Sequence, residues 1–135
     1  MSYATQTASY REMEVASATQ EKLVLVVFDQ LVVNLERARI AMELEDIELR
    51  VTALGRSRNI VSELLGTLDF DKGGRIATQL ADLYQYMLYE LVDIGQRGDV
   101  VTLRKLVNVA GNLRDGFKGA ADQLGSRPTL NQVPA

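Results

Sequence analysis

The chain has 135 residues, a formal net charge of −3 and a pI near 5.0, with 47% hydrophobic and 6% aromatic residues. That length suffices for one domain with a real aliphatic core, while the acidic balance argues against nucleic-acid binding, which asks for a basic face. Cysteine, histidine and tryptophan are absent, which removes disulfides, thiolate chemistry, the commonest metal ligand and the commonest base near neutral pH.

Residues 1–16 carry few apolar positions at helical spacing and read as a short N-terminal cap segment, helical or not. Ser17 or Thr19 can cap the first long helix, and Ser17 with Gln20 has the form of a capping box. In this helix Val24, Phe28, Leu31, Leu35, Ala38 and Met42 step by four and three, which places them on one buried seam. Yet Leu23 to Val33 reads LVLVVFDQLVV, so apolar side chains cover most of the circumference. Val26, Val32 and Val33 fall off the seam. They are candidates for a partner-binding surface.

The acidic turn Glu43-Leu44-Glu45-Asp46 ends this helix and starts the next, a solvated corner without a converging metal cage. The second helix spans about Ile47 to Leu68, with a predicted seam of Ile47, Val51, Leu54, Val61, Leu65 and Leu68. Arg58 stands where an apolar residue is expected, and Ile60 and Leu64 widen the face. Leu68-Asp69-Phe70-Asp71-Lys72-Gly73-Gly74 is a turn by composition, its aspartates suited to a helix start and its glycines to unusual backbone angles.

The third helix, from about Arg75 to Ile94, is expected to turn Ile76, Leu80, Leu83, Met87, Leu91 and Ile94 inward. Tyr84, Tyr86 and Tyr89 cannot all share that seam, so at least one looks outward. Gly95-Gln96-Arg97-Gly98 closes the helix and Asp99 caps the last one, whose seam is Leu103, Leu106, Ala110, Leu113 and Phe117. Glycines at 111, 116 and 119 predict fraying after Phe117. Both prolines, Pro128 and Pro134, fall in a stretch expected to be disordered, residues 125–135. Helix, short turn, helix, four times over, gives an all-α, up-down antiparallel four-helix bundle over residues 17–124.

No segment combines a basic start, an apolar middle and a cleavage site, which argues against a signal peptide, and Leu23–Val33 is too short to span a bilayer. Carboxylates, lysines, tyrosines and serines form no catalytic constellation, and the Glu-x-x-His pairs of bundle metalloenzymes are absent. Neither a catalytic residue nor a cofactor or metal site is expected. The protein reads as a binding protein, not an enzyme.

Several stretches resemble the flagellin export chaperone family, FliS. Tyr10, Val15, Ser17-Ala18-Thr19-Gln20 and Leu23 through Gln30 match its tyrosine, valine, Thr-Ala-Ser-Pro and LxxMLYDG-like pattern. The most specific match is Leu68 to Gly74, followed by Ile76-Ala77, Leu80 and Leu83-Tyr84-Gln85-Tyr86-Met87. Gln20 replaces the family's proline, Phe28 its tyrosine and Gln30 its glycine, and the usual closing tryptophan is missing, Phe117 being the nearest aromatic.

The resemblance implies a bacterial cytoplasmic chaperone that binds the disordered C-terminal segment of flagellin, prevents early polymerisation and presents it to the export gate protein FlhA. It also implies a role for the segment around Tyr10 in capping the flagellin groove or meeting the gate. The partner-binding candidates are Tyr10, Val15, Leu23, Val26, Val27, Phe28, Val32, Val33, Tyr84 and Tyr86. No nucleic acid and no membrane insertion are expected, and self-association is left open. The alternative is a helical adaptor or regulatory module that binds a folded partner or its own copy.

Overall fold

The computed structural model describes the backbone of residues 3–126 and the side chains of residues 22–120. Four helices account for it: α1 (Tyr3–Glu43), α2 (Ile47–Gly66), α3 (Phe70–Arg97) and α4 (Val100–Ser126). α1 lies against α2 and α4, and α2 lies against α3. The ring closes where α3 meets α4 over the smallest of the four contacts, while among the described residues the diagonal pairs make no close backbone approach. This is the expected up-down four-helix bundle.

The turns follow from their residues. α1 ends at Glu43, and Glu45 takes a positive φ of 59° to reverse the chain. Asp46 then caps α2 by accepting from the Leu49 amide at 3.1 Å. Asp69 does the same for α3 through the Lys72 amide at 3.0 Å, and Asp99 for α4 through the Thr102 amide at 3.1 Å. Each carboxylate satisfies an amide that the first helical turn leaves without a partner. Gly98 closes α3 at φ 70°, where a side chain would be strained.

Three helix ends differ from expectation. α1 is already helical from Tyr3, so Ser17 and Thr19 lie inside it and do not cap it. Gln20 keeps the backbone donor that a proline would remove, and the hydrogen-bond ladder runs through. α4 continues past Phe117 to Ser126, and its glycines do not end it. A cost of about 1 kcal/mol per glycine is small beside the cooperativity of a helix already nucleated on the core. Residues 125 and 126 thus close α4, and residues 127–135 lie outside the described part. α3 starts at Phe70, earlier than expected, and bends at Gly74 (φ 50°, ψ −122°), so its first turn is set at an angle to the rest.

The core is mainly aliphatic, built around Phe28, Leu31 and Leu35 of α1, Leu54 and Val61 of α2, Met87, Leu91 and Ile94 of α3, and Leu103 and Leu106 of α4. In α2 and α3 the buried face is rotated from the predicted one. α2 buries Ala53, Leu54, Ser57, Val61 and Leu64, leaving Ile47 and Val51 exposed. Ser57 can sit in the core because its hydroxyl donates to the Ala53 carbonyl at 2.9 Å. α3 buries Ala77, Ala81 and Tyr84 above Met87, and Ile76 turns outward. Alanine and serine at these positions let the helices come close, and close approach selects the small-residue face.

Candidate functional site

The end of the bundle where α1 enters, α2 turns into α3 and α4 reaches Phe117 carries an apolar groove. It consists of two adjoining depressions, of about 700 Å³ and about 390 Å³, that share Val24, Leu64, Thr67, Asp69 and Lys72. Phe28 and Tyr84 lie at its floor, both almost fully buried, beside half-buried Phe117. Leu64, Leu68, Ala77 and Leu80 form its walls. Its lip is apolar and wet, with Val24 37%, Leu23 54% and Ile76 67% exposed.

Local chemistry explains the opening. Asp69 terminates the α2–α3 connection and Gly74 bends α3 just beyond it, so the first turn of α3 stands off from the bundle axis. Added bulk at Gly73 is excluded: a Cβ there would come within 2.8 Å of the Ala77 Cβ. At the floor of the groove the Phe28 and Phe117 rings stack with centroids 4.9 Å apart and planes at 26°. Burial pushes the Tyr84 hydroxyl up to about 12, so the phenol stays protonated and neutral at ordinary pH. Polar side chains line the groove too, Thr67, Asp69 and Lys72 in both depressions and Glu63 in the larger.

Such a site can take up apolar side chains over an extended length. Among the described residues no three acidic, histidine or cysteine side chains gather to hold a metal ion. No helix is long and apolar enough to cross a membrane among the described residues.

Of the sequence candidates, the fold brings Leu23, Val27, Phe28 and Tyr84 together at this groove. Val26 faces a more polar depression on the α1–α2 seam with Gln30, Asn34, Arg37 and Arg56. Val33 and Tyr86 are exposed elsewhere, and Val32 is half-buried against the core. Lying off one seam does not make Val32 a surface residue, because α1 packs against α2 and α4 at once. Tyr86 and Tyr89 are the outward-facing tyrosines, 49% and 70% exposed. The side chains of Tyr10 and Val15 lie outside the described residues.

Sequence reasoning assigned Val24, Ile76 and Phe117 to buried seams and missed their place at the groove. The signal was present in the doubled glycine before Ile76, which lets the helix change direction.

Residues 1–124 match the family described as Flagellar protein FliS. The chain is 33% identical over 108 residues to the Flagellar secretion chaperone FliS of Salmonella typhimurium, covering 79% of this chain and 80% of the relative. It is 29% identical over 112 residues to that of Campylobacter jejuni, covering 82% and 86%. With the protein of the same name from Bacillus subtilis it shares 26% over 112 residues, covering 83% of each. The specific stretch from Leu68 to Met87, the groove it frames and the match across nearly the whole chain agree: this protein belongs to the FliS family of flagellar proteins.

Proposed function

We propose that the protein is a cytoplasmic export chaperone whose groove holds the disordered C-terminal segment of flagellin. It keeps flagellin from polymerising early and delivers it to the flagellar type III export apparatus through the gate protein FlhA. The observation that carries this reading is the open apolar groove itself, floored by Phe28, Tyr84 and Phe117 and rimmed by exposed Leu23, Val24 and Ile76. The relatives' shared name, flagellar secretion chaperone, supports it.

The physics fits a carrier of unfolded cargo. An export channel needs an unfolded substrate, so the carrier must grip short segments without building a folded domain around them. Amphipathic anchors of such a segment suit a groove between helices. Ordering the segment costs roughly 2–5 kcal/mol, and burial of apolar area at about 25 cal/mol per Å² offsets it. Residues 1–16, with Tyr10 and Val15, serve in this reading as a cap segment for the groove or a contact for the gate. Calorimetry with a synthetic flagellin C-terminal peptide tests the assignment. Binding with a negative heat-capacity change is expected, and no heat of binding at high micromolar peptide would reject it.

A further inference from the structure

A second apolar stripe lies at the opposite end of the bundle. Ile47, Val51, Tyr89 and Val92 are 71%, 62%, 70% and 48% exposed. Val51 and Val92 line a shallow depression of about 370 Å³ between α2 and α3, together with Leu54, Gly95 and two arginines, Arg50 and Arg58. Its floor is firm. Arg50 Nη2 donates to the Gly95 carbonyl at 2.6 Å, and Leu54 Cδ1 sits 3.7 Å from where a Gly95 Cβ would stand.

Charge marks this depression out from the other three: two arginines and no carboxylate line it, whereas Glu63 or Asp69 lines each of the others. Arg39, Arg97, Arg104 and Arg114 each pair with a carboxylate. Among the described residues, Arg50 and Arg58 pair with none, as is true of Arg37, Arg56 and Arg75 elsewhere, and Asp93, next to Val92 in the chain, is held by Arg97 at 3.0 Å. Two guanidiniums without acidic partners, beside exposed valines on a chain of net charge −3, form a basic apolar patch. Guanidinium forks match carboxylates in shape as well as charge.

We propose that this α2–α3 face docks an acidic amphipathic helix of a partner protein. Its apolar side chains enter the Val51–Val92 depression and its carboxylates meet Arg50 and Arg58. Ile47, Val51 and Arg58 lie along one ridge about 16 Å long, with buried Leu54 beneath it, and that length matches three turns of a guest helix. Val51 and Leu64 are separated by about 20 Å along α2, so this face and the basal groove can be occupied together.

Fluorescence anisotropy on the full chain tests this with a labelled synthetic helix, leucines on one face and glutamates flanking, and a lysine counterpart. The glutamate helix binds and the lysine helix does not, and its affinity falls as salt is raised. Val51→Asp and Arg58→Glu each weaken it about tenfold, with unchanged circular dichroism. Val92→Asp serves as a second reporter should either variant unfold. Ile76→Asp, in the basal groove, leaves this binding intact, and Val51→Asp retains binding of the flagellin peptide, so the two sites fail independently. Equal binding of both helices, binding of neither, or loss through Ile76→Asp alone overturns the proposal. So does a dimer in sedimentation that Val51→Asp dissociates, which would make a second copy the occupant.

Discussion

The ring of Phe28 on α1 stacks on the ring of Phe117 on α4, centroids 4.9 Å apart, directly beneath the groove. The contact joins the first and last helices of a bundle in which α3 and α4 meet over the smallest of the four helix contacts. It therefore braces the end of the bundle that the chaperone reading requires to stay open.

Phe28→Ala removes a fully buried ring, which typically costs about 3–5 kcal/mol. Phe117 is half-buried, so Phe117→Ala costs less. A double-mutant cycle by urea denaturation should give a coupling of about 0.5–1.5 kcal/mol between the rings. A coupling indistinguishable from zero would mean that the stacking braces nothing.

Ile76→Asp should separate binding from stability. Its side chain is 67% exposed at the groove lip, so unfolding free energy should stay within about 0.5 kcal/mol of the parent. Affinity for the flagellin peptide should fall about tenfold or more. Val32→Asp should behave in the opposite way. Because Val32 packs against the core, its melting temperature drops first, and any binding loss follows from unfolding. Paired thermal melts and calorimetry on both variants distinguish the two behaviours.

Gly74 adopts φ 50° and ψ −122°, a conformation that a side chain strains. No neighbouring atom would meet an added Cβ, so the effect of Gly74→Ala isolates backbone strain, expected at about 1–3 kcal/mol. Chemical denaturation measures it. A neutral outcome would show that α3 can straighten at little cost, and the groove shape should then change with it.

Tyr84 links stability to pH at the alkaline end. Desolvation raises its hydroxyl from the ordinary 10 to about 12, so between these values the unfolded chain releases a proton that the folded chain keeps. The unfolded state binds fewer protons there, and stability falls as pH rises from about 10 to about 12. The loss is on the order of 2–3 kcal/mol. Below pH 10 the contribution is fully present. Tyr84→Phe should flatten that slope in denaturation curves recorded across the same window, with the fold retained at neutral pH.

The turns were legible from single residues because their physics is local. Asp69 and Asp99 accept amides three residues ahead, and Gly98 takes the left-handed angle that few other residues tolerate. The expected closure of α1 at the acidic turn holds for the same reason. Ser17 was misread as a cap because a capping pattern is also compatible with the interior of a continuing helix.

The groove was only half legible. Leu23, Val27, Phe28 and Tyr84 line it, whereas Val26, Val33 and Tyr86 point elsewhere although they are as apolar or aromatic as their neighbours. Ile76 and Phe117 belong to the site through the bend at Gly74 and the stacking on Phe28, neither of which a periodic pattern contains.

Taken alone, the order of residues determined four helices, their turns and the family to which the chain belongs, since periodicity, caps and motif spacing are properties of neighbours along the backbone. Which stripe of α2 faces inward was decided only on folding. Ile47 and Val51 offered one apolar face, and Ala53, Leu54 and Ser57 another, a fraction of a turn away. A period of 3.6 accommodates both. Helices pack most closely where side chains are small and polar atoms find partners, and that condition exists only when α1 and α3 are already in place beside α2.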